Sequence, residues 1–124
     1  MKKKKLAIFD IDGTISANPS AFGVLMCSLM QNEQQVVVMT GALTSFPPGQ
    51  MDIRKKQLEA IGIVENHHYD TLEIIVGDTV LDVAKGKGQR CVELEAVMMF
   101  EDSPLYVSEI NKISPKTTTL LVIP

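Results

Sequence analysis

The sequence lacks the features that mark several specialised classes of protein. It has no basic excess, because 12 lysines and arginines stand against 15 aspartates and glutamates and give a net charge of −3. Without an overall basic field, nucleic acid is not the favoured partner. No apolar run is long enough to span a membrane and no secretory signal is evident, so we expect a cytoplasmic protein without membrane contact.

Cysteine is also scarce. Only Cys27 and Cys91 are present, and both lie in apolar patterns typical of helices. We expect buried free thiols in a reducing compartment rather than a disulfide.

The chain has 124 residues, a length that suits one domain with a substantial core.

An apolar run that ends in two carboxylates is the most informative stretch. Residues 6–9 (LAIF) predict a strand buried on both faces, as in a parallel sheet. Asp10 and Asp12 follow at once, and Gly13 then breaks the extended pattern. Ligand sites of open α/β sheets lie outside the carboxyl ends of the strands. Two carboxylates this close repel each other unless a proton or a cation intervenes, which favours a hard cation such as Mg²⁺.

Apolar runs and helical patterns alternate along the rest of the chain. Further strands are predicted at residues 36–39, 72–76, 97–100 and 117–123. Helices are predicted at residues 20–30, 51–61, 82–94 and 105–113. This alternation predicts a three-layer α/β domain around a five-stranded parallel sheet.

Polar residues beyond the first strand add candidates for a binding site. Thr40 and Gly41 follow the second predicted strand, where a hydroxyl can donate to a phosphate oxygen and a glycine lets the backbone approach closely. Arg54 belongs to the solvated face of a predicted helix, although it could reach a substrate from the loop side. His67 and His68 have no cysteine or carboxylate at metal-ligand spacing, and we expect them in a surface loop.

Four stretches, in this order, resemble the signatures of the haloacid dehalogenase (HAD) superfamily, most of whose members are phosphatases. They are FDIDGT at residues 9–14, the apolar strand ending in Thr40, a lysine near the start of the third predicted helix, and FEDS at residues 100–103. The resemblance covers nearly the whole chain. It implies a single HAD-like hydrolase domain over residues 1–124, with a Rossmann-like sheet in the strand order 5-4-1-2-3.

The resemblance also implies a role for each candidate residue. Asp10 would be the nucleophile that forms an aspartyl-phosphate, and Asp12 the general acid and base. Thr40 and one lysine, either Lys85 or Lys87, would offset the charge of the phosphate, and the sequence does not distinguish the two lysines. The implied ligands of Mg²⁺ are Asp10, Asp12 (through its backbone carbonyl), Glu101 and Asp102.

The implied function is that of a Mg²⁺-dependent phosphatase acting on a phosphomonoester. The chain has no room for a cap domain, so we expect an open site that accepts a large substrate or a lid from another subunit of a homo-oligomer. A 3′-end polynucleotide or nucleotide phosphatase is an alternative, although Ala42 stands where such enzymes carry an arginine. A third alternative is a non-catalytic module that binds metal or phosphate.

Overall fold

A computed structural model describes residues 4–124 as an α/β domain. The strands are β1 (Leu6–Phe9), β2 (Gln35–Leu43), β3 (Thr71–Gly77), β4 (Met98–Glu101) and β5 (Thr118–Leu121). The helices are α1 (Pro19–Gln31), α2 (Gln50–Ala60), α3 (Val80–Leu94) and α4 (Pro104–Ile113). The predicted α/β class with a five-stranded parallel sheet is confirmed.

The sheet has β1 at its centre. Its strands lie in the order β3-β2-β1-β4-β5, which is written β5-β4-β1-β2-β3 from the opposite edge, and every neighbouring pair is parallel. All four residues of β1 are buried. Such a strand has helices over both of its faces, which explains its uninterrupted apolar sequence.

Hydrophobic clusters cover both faces of the sheet. Phe9 belongs to one cluster with Met26 of α1, whereas the preceding residue, Ile8, belongs to the other with Cys91 of α3 and Ile110 of α4. Successive side chains of a strand point to opposite faces, so this alternation divides the core into two. The result is three layers, with the sheet between two helical layers.

β2 extends further than its apolar run predicts. The predicted strand stops at Met39, but pairing with β3 continues as far as Leu43. Pairing between β1 and β2, in contrast, stops at Phe9. Thr40 and Gly41 therefore lie within β2, and they border the space that opens beyond the end of β1.

The connections around β1 and β3 are short. A short kinked turn, Ile11–Ile15, with non-helical backbone angles at Asp12 and Gly13, separates β1 from α1, and α3 begins soon after β3 ends. Within residues 4–124, no additional domain is inserted at either place. The same part of the chain contains no helix that is both long and apolar enough to cross a membrane.

Candidate functional site

A cavity of about 250 Å³ lies at the carboxyl edge of the sheet. Its lining residues are Asp10, Asp12, Thr40, Gly41, Val80, Lys87, Glu101, Asp102, Ser103 and Tyr106. The three central strands and helices α3 and α4 all contribute. This is the edge at which parallel α/β sheets generally bind ligands.

Three acidic side chains converge in this cavity. Oxygen atoms of Asp10, Glu101 and Asp102 all lie within 4.8 Å of one another. The strands bring them together because β1 and β4 are parallel neighbours, and the backbone N–H of Asp10 donates to the carbonyl of Phe100 at 3.0 Å. The residues that directly follow Phe9 and Phe100 therefore meet at the sheet edge.

Lys87 provides the positive charge between these acids. Its Nζ donates to Asp10 Oδ1 at 3.0 Å and to Glu101 Oε2 at 2.8 Å, and it lies 4.7 Å from the centroid of the Tyr106 ring. Lys87 is fully buried, whereas Lys85 is exposed. Residues two apart on a helix face different directions, so α3 directs only Lys87 into the cavity.

Burial changes the protonation of this cluster. Burial raises the pKa of Asp10 to about 8. The charges of Glu101 and Asp102 act in the same direction, whereas Lys87 acts to lower this pKa. Burial likewise raises the pKa of Glu101. Burial acts to lower the pKa of Lys87, but the charges of Asp10 and Glu101 outweigh it, and the pKa of Lys87 is raised. The ammonium is therefore retained between Asp10 and Glu101.

Two glycines at the site have no room for a side chain. Gly13 has a φ of +74°, and a Cβ at this position would overlap the carboxylate of Asp102. At Gly41, a Cβ would lie 2.5 Å from Cγ1 of Val83. Neither position can take a side chain unless its neighbours move.

The Asp12 carboxylate borders the cavity but is bound by α2. Arg54 Nη1 donates to Asp12 Oδ2 at 2.9 Å, and Gln57 Nε2 donates to Oδ1 at 3.0 Å. The Asp12 side chain is 60% exposed and is not part of the converging group of acids. Arg54 is therefore engaged with Asp12, and it does not itself line the cavity.

Sequence reasoning missed several residues at the site. Tyr106 and Gln57 are the most important, because they contact Lys87 and Asp12 respectively. Helical spacing could have indicated both. Tyr106 lies three residues after Ser103, which caps α4, and Gln57 lies three residues after Arg54.

Comparisons with known proteins identify structures with a similar fold. No protein-family model matches the chain, and no curated protein sequence matches it. Among solved structures, a universal stress protein in complex with cAMP matches with a TM-score of 0.57 and 16% identity, over 98% of each chain. A universal stress protein family member from Burkholderia pseudomallei has a TM-score of 0.57 and 11% identity, over 97% of this chain and 96% of its own. At these identities the likeness shows the fold alone.

These neighbours correct the identification made from motifs. They are universal stress proteins, a different Rossmann-like family, so membership of the HAD superfamily is wrong, and with it the HAD-like hydrolase domain. The inferred enzyme class is wrong for the same reason. This applies to the Mg²⁺-dependent phosphatase with an aspartyl-phosphate intermediate, and equally to the alternative of a 3′-end polynucleotide or nucleotide phosphatase. The physical reason is that every parallel α/β sheet collects strand-end residues at one edge, so acids found there do not identify one family.

Proposed function

We propose that this protein is a binding module for a nucleotide or a similar phosphorylated small molecule, held through a divalent cation at the carboxyl edge of the sheet. The observation that carries the proposal is the meeting of three carboxylates with Thr40 and Lys87 in one cavity. This proposal concerns binding, and it assigns the protein no reaction.

The acidic residues fit a hard divalent cation. Asp10, Glu101 and Asp102 offer only carboxylate oxygens, which suit Mg²⁺ or Ca²⁺ better than a soft metal. When all three are ionised, the single charge of Lys87 leaves an excess of two negative charges, which a divalent ion would neutralise. Asp12 could add its backbone carbonyl, because its side chain is held by Arg54 and Gln57. A bound cation would supply positive charge to a ligand phosphate.

The other lining residues suit a phosphate group. The hydroxyl of Thr40 can donate to a phosphate oxygen, and Gly41 lines the cavity next to it. The cavity, at about 250 Å³, is smaller than the ~300–1,000 Å³ typical of sites that enclose a whole drug-sized ligand. It suits a cation and a phosphate, with the rest of the ligand outside.

The choice of a nucleotide has a second source of support. One of the structural neighbours was solved in complex with cAMP, which shows that a similar fold can hold a phosphorylated nucleoside.

We also infer a cytoplasmic location, because two free cysteines suit a reducing compartment in which nucleotides are abundant. Assembly into a homo-oligomer stays a prediction.

The proposal is tested by calorimetric titration of the full chain with cAMP, AMP, ADP, ATP and inorganic phosphate, each with Mg²⁺ and with a chelator. We expect binding of at least one nucleotide that requires Mg²⁺. Asp102→Asn should weaken it at least tenfold, because the variant removes a carboxylate from the converging group. Asp52→Asn is the matched control, since this exposed aspartate in the first turn of α2 lies outside the cavity.

Two results would contradict the proposal. One is the absence of binding of every probe by folded wild-type protein at millimolar concentration. The other is binding that is equal with Mg²⁺ and with the chelator and unchanged in Asp102→Asn, because the ligand would then occupy a different site.

A further inference from the structure

A second cavity lies beside α1 and has its own set of lining residues. It has a volume of about 520 Å³ and lies between α1 and the segment that follows α2. Its lining includes Gly23, Cys27 and Ser28 of α1 together with Ile61, Ile63 and His68, and it shares no residue with the acidic cavity. The proposed binding function makes no use of it.

Cys27, which lines this cavity, lies beside a histidine. Cys27 Sγ lies 3.8 Å from His67 Nε2, which is within hydrogen-bond reach for sulfur. Cys27 is half-buried and His67 is exposed, so that small molecules in solution can reach the thiol. A thiol beside an imidazole is the arrangement that activates nucleophilic cysteines, because the ring can take the proton from sulfur.

His68 packs against His67. The two rings are in edge-to-face contact, with centroids 4.6 Å apart and an interplanar angle of 82°. The backbone N–H of Val64 donates to His68 Nδ1 at 3.0 Å. Burial lowers the pKa of His68, and the neighbouring His67 acts in the same direction. His67 is the ring whose nitrogen reaches the Cys27 sulfur, and it is therefore the candidate partner for proton exchange.

We propose that Cys27 is a modification site that exchanges with small peptide-type disulfides, with His67 as its base. His67 Nε2 takes the thiol proton while the Cys27 sulfur attacks one sulfur of the disulfide. A bond forms between Cys27 and that sulfur, the original S–S bond breaks, and the leaving thiolate takes the proton from His67. The disulfide is reduced to one thiol as Cys27 is oxidised to the mixed disulfide, so atoms and electrons balance.

The cavity suits a ligand of this kind. Ser20, Ser28 and Gln31 of α1 provide hydroxyl and amide groups along the same cavity. Polar groups of this type can pair with the amides of a peptide bound to the reacting sulfur. Gly23, one turn before Cys27, also lines the cavity, and a Cβ there would lie 3.3 Å from Cδ1 of Ile63.

The other cysteine provides an internal reference. Cys91 of α3 is completely buried in the core, and burial raises its pKa to about 11. Thiol–disulfide exchange requires an accessible thiolate, so Cys91 should not react in the folded protein. Modification of Cys91 would report unfolding rather than the chemistry proposed for Cys27.

The test is to incubate folded full-length protein with excess glutathione disulfide and follow the adduct by intact-mass and peptide mass spectrometry. We expect one adduct on Cys27, none on Cys91, and none in Cys27→Ser. His67→Gln should slow the reaction about tenfold or more, because the thiol loses its base. Far-ultraviolet circular dichroism and continued protection of Cys91 establish that the variant is folded.

A second disulfide separates the role of His67 from a general charge effect. The uncharged 2-hydroxyethyl disulfide should show the same dependence on His67 as glutathione disulfide. The proposal is overturned if Cys27 in the folded protein reacts no faster than the thiols of the urea-unfolded chain. It is also overturned if His67→Gln, shown to be folded, reacts at the wild-type rate. Neither result depends on nucleotide binding at the acidic cavity.

Discussion

Lys87 is a charged residue placed where a protein interior rarely tolerates one. It is fully buried, and its ammonium is held between Asp10 at 3.0 Å and Glu101 at 2.8 Å. Moving a charge out of water is costly, and each member of such a group depends on the others for compensation. The three side chains therefore form one electrostatic unit, and removal of the lysine leaves two buried carboxyl groups without their counterion.

We accordingly expect Lys87→Met to lower the free energy of unfolding by about 3–5 kcal/mol in cation-free buffer, the usual cost of breaking a buried pair. Lys85→Met is the matched control. It removes the same charge from an exposed position on the same helix, and its effect should stay within about 0.5 kcal/mol. Urea denaturation of the two variants measures both values. Equal effects at the two positions would show that Lys87 does not have the role described here.

Gly13 has a conformation that other residues adopt only at a cost. Its φ is +74°, and the carboxylate of Asp102 occupies the space that a Cβ would need. Gly13→Ala should combine backbone strain with displacement of Asp102, for a total loss of about 2–5 kcal/mol of stability. Cation binding should weaken in parallel, because Asp102 belongs to the converging acids.

Gly62 provides the comparison for Gly13. Its φ is +83°, but nothing lies within 4 Å of where its Cβ would be. Gly62→Ala should therefore cost only the strain, about 1–2 kcal/mol, and leave cation affinity unchanged. Denaturation and Mg²⁺ titration of both variants provide the measurements. If the two variants lose stability equally and both bind Mg²⁺ as wild type does, the contact between Gly13 and Asp102 has no functional consequence.

Helix α3 is the element that carries Lys87 to the site. It begins with a reciprocal cap, in which the Thr79 hydroxyl accepts from Asp82 N–H at 3.1 Å and the Asp82 carboxylate accepts from Thr79 N–H at 3.2 Å. Its packing against β3 and α4 holds the helix axis in place. The cap decides where the helix starts, and therefore which residues face inward.

Loss of this cap should destabilise the protein without a change in any residue of the cavity. We expect Thr79→Ala to lower the free energy of unfolding by about 0.5–2 kcal/mol, because the N–H of Asp82 loses its acceptor. Thr79→Ser keeps the hydroxyl and should stay close to wild type. Thermal and urea denaturation would show the difference. An equal loss in both variants would point to the methyl group of Thr79 rather than to its cap.

The sequence predicted the kinds of element better than their ends. Apolar runs were sufficient to locate all five strands, because buried parallel strands have little polar sequence. The apolar run at residues 36–39 predicted too early an end for the second strand. Pairing with β3 extends β2 to Leu43, and no local sequence pattern indicates that pairing. The start of α3 was also predicted late, because the cap at Thr79 precedes the apolar spacing that marked the helix.

The candidate site was predictable only in part. Acids and hydroxyls at the strand ends could be located because parallel strands all end at one edge. The choice between Lys85 and Lys87 depends on how α3 is rotated about its axis, which the surrounding packing decides. The pairing of Asp12 with Arg54 and Gln57 joins residues more than forty positions apart, and no spacing in the sequence indicates it.

At the scale of the whole molecule, local motifs and overall fold led to different families. The motifs resemble HAD signatures, whereas two solved structures that match nearly the full chain are universal stress proteins. Both observations follow from a parallel sheet that gathers polar residues at one edge. Function depends on the chemistry of the residues gathered there, and the cation binding that we propose rests on the three converging carboxylates.

A cation bound at this edge should stabilise the entire domain. Its ligands come from the ends of β1 and β4, which pair at the centre of the sheet, so that unfolding would destroy the site. An ion that binds only the folded state adds about 2.7 kcal/mol of stability at a hundred times its dissociation constant. We expect Mg²⁺ to raise the midpoint of thermal unfolding in wild type and in the control Asp52→Asn, but not in Asp102→Asn. The rise in midpoint caused by Mg²⁺ should be small in Gly13→Ala, because Asp102 is displaced in that variant. A general salt effect would instead raise the unfolding midpoint of all four proteins alike. Sodium chloride at equal ionic strength would then produce the same increase.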